Sequence, residues 1–197
     1  MKRLRSLILP VCILATGSIA TAYPEFQKFV ADETKRPVNC AMCHAHSDGP
    51  EGTAPGQIGK LTAAELDSLG RARAALLPGQ EVNSPILNAF GNHIIKSMGK
   101  SKFVELKNAP AHLADLLPQD SDLDKDGIPD AREYLEGTHP LIRHDGNPWL
   151  LFKHNFQENL TIIVLTLLAT ISGILGLRHL LRGFAVATAR DDEDADG

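Results

Sequence analysis

Residues 160–177 form a run of eighteen positions without a charged side chain. At 1.5 Å per residue such a run makes about 27 Å of α-helix, close to the thickness of the hydrocarbon layer of a bilayer. Aromatic residues precede the run and an arginine follows it, as is typical of the edges of a membrane span: Trp149, Phe152, Phe156 and Arg178. The sequence therefore predicts one transmembrane helix over 160–177, entered through an interfacial segment over 149–159.

The N-terminus has the pattern of a cleavable secretory signal. Lys2, Arg3 and Arg5 precede a short apolar run that ends in small residues at position 22. Removal of residues 1–22 would take these three basic residues away, so the formal net charge would move from −4 to −7. A chain with that charge is not expected to bind nucleic acid.

The signal and the span together predict a topology. Export of the N-terminal part, with arginines directly after the span, places the residues before the span outside the cytoplasm and a tail over 178–197 inside it. We therefore expect a single-pass protein of a bacterial cytoplasmic membrane with its main domain in the periplasm. The cell membrane is thus one predicted partner.

Cys40 and Cys43 are the cysteines that remain after the signal, and His44 follows them directly. Cys-x-x-Cys-His is the signature of c-type haem attachment. The two thiols reach two vinyl groups on one edge of the porphyrin, and the adjacent imidazole folds beneath the ring to hold the iron. A redox-active cysteine pair, two ligands of a structural zinc site and a chance occurrence are the alternatives. No βαβ pattern favours the first, and no second cysteine pair favours the second.

Through these three residues the chain resembles the c-type cytochromes. The resemblance implies one covalent haem c, thioethers at Cys40 and Cys43, and His44 as the proximal iron ligand. It also implies a small all-α, cytochrome c-like haem domain, which we place over 23–118. Residues 85–91 resemble a Pro-x-Leu-Asn-x-aromatic-Gly segment of some small bacterial monohaem cytochromes. Helices are expected over 24–35, 62–77, 85–98, 102–107 and 110–117.

Met98 is the expected distal iron ligand. It lies fifty-four residues after His44 and shares an apolar helix stripe with Phe90 and Ile94. A methionine on such a stripe is more commonly a core residue, and three histidines have suitable chemistry as well: His93, His46 and His112. The choice matters because a Met/His pair raises the reduction potential relative to two histidines, whereas an empty sixth position would permit ligand binding or catalysis.

Residues 122–133 have the register of an EF-hand-type loop, with oxygen-bearing side chains at loop positions 1, 3, 5, 9 and 12 and glycine at position 6. The loop resembles single calcium loops of the thrombospondin type 3 kind. That resemblance implies one calcium ion, held by the Ile128 carbonyl and five carboxylates: Asp122, Asp124, Asp126, Asp130 and Glu133. A solvated acidic linker that binds nothing is the alternative. We place this calcium-loop segment over 119–148.

These features predict a membrane-anchored electron carrier, not an enzyme. We expect it to transfer single electrons between membrane and periplasmic redox partner proteins, either alone or as a subunit of a larger respiratory or photosynthetic membrane complex. A haem sensor or peroxidase-like protein with an open sixth position is the alternative.

Overall fold

A computed structural model describes residues 23–195, with side chains through residue 186; the predicted signal over 1–22 lies outside them. Between residues 23 and 195 the chain forms α-helices joined by loops and 3₁₀ turns, without a β-strand, which confirms the predicted all-α class. The helices are α1 (Pro24–Thr34), α2 (Ala63–Ala74), α3 (Ala89–Glu105), α4 (Leu113–Leu116), α5 (Asp130–Glu136), α6 (Pro148–Glu158) and α7 (Leu160–Ala195).

One hydrophobic core joins α1, α3, α4 and α5. Val30 of α1, Phe90 of α3, Leu113 of α4 and Tyr134 of α5 are each at most 1% exposed and belong to the same cluster. Burial of such apolar and aromatic surface is the main force that holds the helices together. The predicted boundary at residue 118 therefore does not separate two cores, because α5 of the calcium-loop segment packs into the predicted haem domain.

Helix α2 begins as predicted and ends earlier. Thr62 Oγ1 accepts from the Glu65 backbone N–H, and the Glu65 carboxylate accepts from the Thr62 N–H, which completes a capping box. The helix stops at Ala74, however; within it Leu69 is buried, whereas Leu77, beyond its end, is 66% exposed. The predicted extent to residue 77 was wrong.

Helix α3 begins at Ala89, four residues later than predicted, because the preceding residues are bound elsewhere. The Ile86 carbonyl accepts from the Ala45 N–H, and the Asn88 side chain then caps the helix by accepting from Gly91 N. Gly99, with φ 75° and ψ 152°, interrupts the helical backbone of α3, so the helix breaks next to the predicted end at residue 98 and resumes after it. The expected helix over 102–107 is therefore the last part of α3 and a following 3₁₀ turn.

Helix α7 confirms that one C-terminal apolar helix is able to span a membrane. Residues Leu160–Val186 are long and apolar enough for a span, and their side chains are exposed rather than packed on the core. The helix continues to Ala195 with no break at the predicted start of the tail. On α6, three exposed aromatic rings stack in sequence along the approach to α7: Trp149, Phe152 and Phe156.

Candidate functional site

The cysteine motif forms a single 3₁₀ turn over Cys40–Met42. Asn39 starts the turn by accepting from the Ala41 N–H at 2.9 Å, and the Cys40 carbonyl accepts from the Cys43 and His44 N–H groups at 3.2 and 2.8 Å. The turn brings both sulfurs and the imidazole to the wall of one cavity. Both cysteines are free thiols. Burial raises the pKa of Cys43 to about 12, with a smaller contribution from the neighbouring Cys40.

The ring of His44 is fixed by a backbone carbonyl. Its Nδ1 lies 3.1 Å from the Ile86 oxygen, which can only accept, so Nδ1 carries the proton. Burial lowers the pKa of His44, which favours the neutral ring. A neutral imidazole protonated at Nδ1 leaves the Nε2 lone pair free, the state in which histidine binds a metal.

The cavity has a volume of about 340 Å³, within the usual range for small-ligand sites. Its walls come from α1, the motif, α2, α3, α4 and α5, and are mostly apolar. Arg73 and Lys100 are the charged residues that line it within the described part of the chain, and no carboxylate does so. Lys100 Nζ lies 3.4 Å from the Arg73 backbone carbonyl oxygen, so these two residues are neighbours in the cavity wall. A ligand with an apolar body and an anionic end would match this distribution of apolar and cationic residues.

The segment 85–91 lies directly against the motif. Asn88 Nδ2 donates to the Ala41 and Met42 carbonyls at 2.6 and 3.1 Å, and the Asn88 N–H donates to the Cys43 carbonyl at 3.1 Å. Gly91 packs so closely on Cys43 that a Cβ there would collide with its carbonyl oxygen. The structure therefore places the segment over residues 85–91 beside the cysteine motif.

None of the predicted distal ligands lines the cavity. Met98 is 6% exposed and belongs to the hydrophobic core. His93 faces Ser97, His46 is bound to Gln57, and His112 is exposed and paired with Asp115. Within residues 23–186, the histidine and methionine that line the cavity are His44 and Met42. Ligation by Met98 stays a prediction.

The second site is the acidic loop after α4. The carboxylates of Asp122, Asp124 and Asp126 lie within 4.8 Å of one another. The loop turns through Lys125 and Gly127, which have φ values of 61° and 86°. The positive φ at loop position 6 is the reason that glycine is required there.

Glu133 lies at the first turn of α5, 0% exposed, and neither of its oxygens has a hydrogen-bond partner. One oxygen each of Asp124 and Asp126 is also buried without a partner. Burial raises the pKa of Glu133 to about 9, with a further contribution from the neighbouring aspartates. Burial and the nearby Asp126 likewise raise the pKa of Asp124 to about 6. Buried carboxylates without partners are costly unless a cation joins them. All of these donor atoms are oxygens, which a hard cation such as calcium prefers as ligands.

Two other predicted calcium residues have visible structural roles. Asp130 Oδ1 accepts from the Leu123 N–H at 3.0 Å, and Oδ2 accepts from the Ser121 hydroxyl. Both oxygens therefore brace the loop. The Ile128 side chain is fully buried, and its N–H donates to Asp126 Oδ1 at 2.7 Å.

Sequence reasoning missed several residues that build these sites. Arg73 and Lys100 looked like ordinary surface cations, and Tyr134, which lines the cavity at 1% exposure, was read only as part of the calcium segment. His139 Nε2 donates to the Ala41 carbonyl at 3.0 Å. Their contributions depend on long-range packing, so no local pattern could have identified them.

Comparison with known proteins gives no match to any family model, curated protein or solved structure.

Proposed function

We propose that this chain is a membrane-anchored monohaem c-type cytochrome that transfers single electrons. The observation that carries the proposal is the convergence of Cys40, Cys43 and a carbonyl-oriented His44 on one apolar cavity. The cysteines would hold the haem as thioethers, and His44 Nε2 would bind its iron. Haem supplies a one-electron couple, and the protein sets its potential through axial ligation, burial and nearby charge.

The walls of the cavity support this assignment independently of the motif. Phe26, Ile94 and Leu113 give the wall a buried apolar surface, as a haem crevice requires. Arg73 and Lys100 supply positive charge at one side, where they would neutralise the two propionates. The apolar interior and the cationic edge match the two ends of the cofactor.

A second candidate is a haem sensor or peroxidase-like protein with an open sixth position. The observation that favours it is that Met98, His93, His46 and His112 all lie outside the cavity lining. Carbon monoxide added to the reduced protein separates the two. If Met98 binds the iron, the parent protein should bind little or no carbon monoxide and should show a methionine–iron charge-transfer band that is lost in Met98→Leu. If the sixth position is open, both the parent and Met98→Leu should bind carbon monoxide rapidly.

The acidic loop would bind one calcium ion. The four orphaned oxygens of Asp124, Asp126 and Glu133 support this, since a divalent cation would satisfy them together. Calcium titration of the detergent-solubilised protein, with Glu133→Gln as the matched variant of equal size, tests it. One bound equivalent in the parent and a loss of at least about tenfold in affinity in the variant are expected; equal affinities would contradict the assignment.

Helix α7 would anchor the haem domain at the periplasmic face of a bacterial cytoplasmic membrane. Its apolar exposed surface and the aromatic rings on α6 support a span with an interfacial approach. Redox proteins on that face, or the other subunits of a respiratory or photosynthetic complex, would then be its partners. Purification in mild detergent distinguishes these two cases, because a complex subunit migrates with stoichiometric partners.

A further inference from the structure

The calcium loop and the haem motif are joined by the chain that follows α5. This connecting segment, residues 137–146, begins where α5 ends and returns past the acidic loop. It packs at one end on residues of the candidate cation site. At the other end it makes hydrogen bonds to the segment that carries Cys40 and His44.

At the loop end the contact is close packing. A Cβ built on Gly146 would lie 2.9 Å from Asp126 Oδ2 and 2.6 Å from Ile128 Cδ1, so the backbone at Gly146 rests on the loop. Asp126 Oδ2 is one of the buried oxygens without a partner. The position of residue 146 therefore depends on where the Asp126 carboxylate is held.

The next residue along the connection is Asp145. One of its oxygens accepts from the His139 N–H at 3.0 Å, and the other pairs with Arg36 at 2.6 Å. Arg36 lies four residues before Cys40. Asp145 thus fixes both the backbone of His139 and the chain that enters the motif.

His139 completes the connection to the haem motif. Its Nδ1 accepts from the Leu141 N–H at 3.2 Å, so its Nε2 carries the proton and donates to the Ala41 carbonyl at 3.0 Å. Ala41 lies between the two cysteines, and its carbonyl also accepts from Asn88. The same turn of chain is therefore held from α3 by Asn88 and from the calcium side by His139.

Helix α5 supplies a parallel connection. Glu133, whose two oxygens are buried in the acidic loop without partners, precedes Tyr134, which lines the cavity and donates to the Pro110 carbonyl at 3.0 Å. A displacement of α5 to relieve the carboxylates would move a wall of the cavity. Without a cation, the repulsion among these carboxylates acts on both connections.

We infer that calcium at the acidic loop controls the order of the haem motif, with His139 as the positioning residue that transmits it. The inference rests on the proposed function for the identity of the two ligands. Calcium holds Asp126 and Glu133 in place, Asp145 and His139 then keep their contacts, and the Cys40–His44 turn stays fixed. Loss of calcium loosens the turn through the same contacts, so calcium regulates the haem site from a distance.

Amide hydrogen exchange of the full-length protein in detergent tests this directly. The N–H groups from Cys40 to His44 are all hydrogen-bonded, so their exchange reports the order of the turn whether or not haem is attached. Chelation of calcium is expected to speed exchange of peptides covering 40–44 by at least about tenfold in the parent protein. In His139→Ala, where only the α5 connection remains, chelation should speed exchange at least about threefold less than in the parent.

His144→Ala is the matched control, because His144 lies in the same connecting segment as His139 but is exposed. It should respond to chelation as the parent does. His139→Gln retains a side-chain N–H near the Nε2 position and should restore the response to chelation. It therefore distinguishes loss of the hydrogen bond from a folding defect in the alanine variant. Exchange that changes in the acidic loop but not over 40–44, or a full response in His139→Ala, would overturn the inference.

The proposed function is read separately in the same samples. The mass of the denatured chain reports haem attachment, and calcium titration reports the cation site. A chain without haem whose turn still responds to calcium through His139 would refute the cytochrome assignment and leave the coupling intact. A haem-bearing chain in which exchange over residues 40–44 does not respond to calcium would support the cytochrome assignment and refute the coupling.

Discussion

The side-chain nitrogen of Asn88 lies 2.6 Å from the carbonyl oxygen of Ala41, forty-seven residues earlier in the chain. The same nitrogen donates to the Met42 carbonyl at 3.1 Å, while Asn88 Oδ1 accepts from the Gly91 N–H as the cap of α3. One side chain therefore starts the central helix and holds the turn that carries the cysteines.

Asn88→Ala should lower the free energy of unfolding by about 2–4 kcal/mol, because it removes a helix cap and two donors to partly buried carbonyls. Asn88→Asp keeps the capping acceptor but sets a carboxylate oxygen against the same two carbonyls, so it should not recover this loss. Denaturant unfolding followed by circular dichroism measures both. Equal stability of Asn88→Ala and the parent would show that the contact does not hold the turn.

Gly91→Ala should disrupt the turn over Cys40–Met42, and with it the proposed haem site, more than the addition of one methyl group implies. A Cβ at Gly91 would collide with the Cys43 carbonyl, whereas a Cβ at Gly70 in α2 meets nothing within 4 Å. Gly91→Ala is therefore expected to cost about 2 kcal/mol or more, and Gly70→Ala to stabilise by about 0.5–1 kcal/mol through helix propensity. Thermal unfolding and the fraction of chains carrying haem are the measurements. An unaffected Gly91→Ala protein contradicts this packing.

Arg73→Gln and Lys100→Gln should each lower the reduction potential. A positive charge near the haem favours the reduced form, and the loss of about 1 kcal/mol of such interaction corresponds to about 40 mV for a one-electron couple. Lys102→Gln is the control, because Lys102 pairs with Glu105 and does not line the cavity. Spectroelectrochemical titration that gives equal shifts for all three variants would place the haem elsewhere.

Calcium-free protein should lose stability as the pH rises. The pKa of Glu133 is raised from 4.5 to about 9 in the folded chain, so the folded state holds that proton more tightly than the unfolded state. The resulting stabilisation is complete below 4.5 and is lost as the pH approaches 9.

The pH dependence is measured as the difference in free energy of unfolding between the calcium-stripped parent and Glu133→Gln, which cannot titrate at this position. The parent is expected to lose stability relative to the variant across this range, and saturating calcium should restore it. A difference that does not change with pH would contradict the assigned burial of Glu133.

Local patterns predicted the parts of this molecule that depend on neighbouring residues. Four features are visible within a few residues of chain: the capping box at Thr62 and Glu65, the helical class, the apolar helix after Leu160 and the carboxylate register from Asp122. The hydrogen bonds of a cap and the turn of an acidic loop are local, which is the reason that sequence reasoning reached them.

Contacts between distant residues were not predictable in this way. Helix α3 begins at Ala89 rather than at residue 85, as predicted, because the Ile86 carbonyl accepts from the N–H of Ala45, directly after the motif. His139 contacts Ala41 across ninety-eight residues, and Arg73 joins Lys100 only after α2 and α3 have packed. These positions are set by tertiary packing, which overrides local propensity.

Covalent attachment of haem at Cys40 and Cys43 is measured by the mass of the denatured, solvent-extracted full chain. The parent protein should carry the added mass of one haem. This mass should be retained in Met42→Leu and lost in the double variant Cys40→Ser, Cys43→Ser. A parent chain with no added porphyrin mass, from cells that mature other c-type cytochromes, would contradict this attachment.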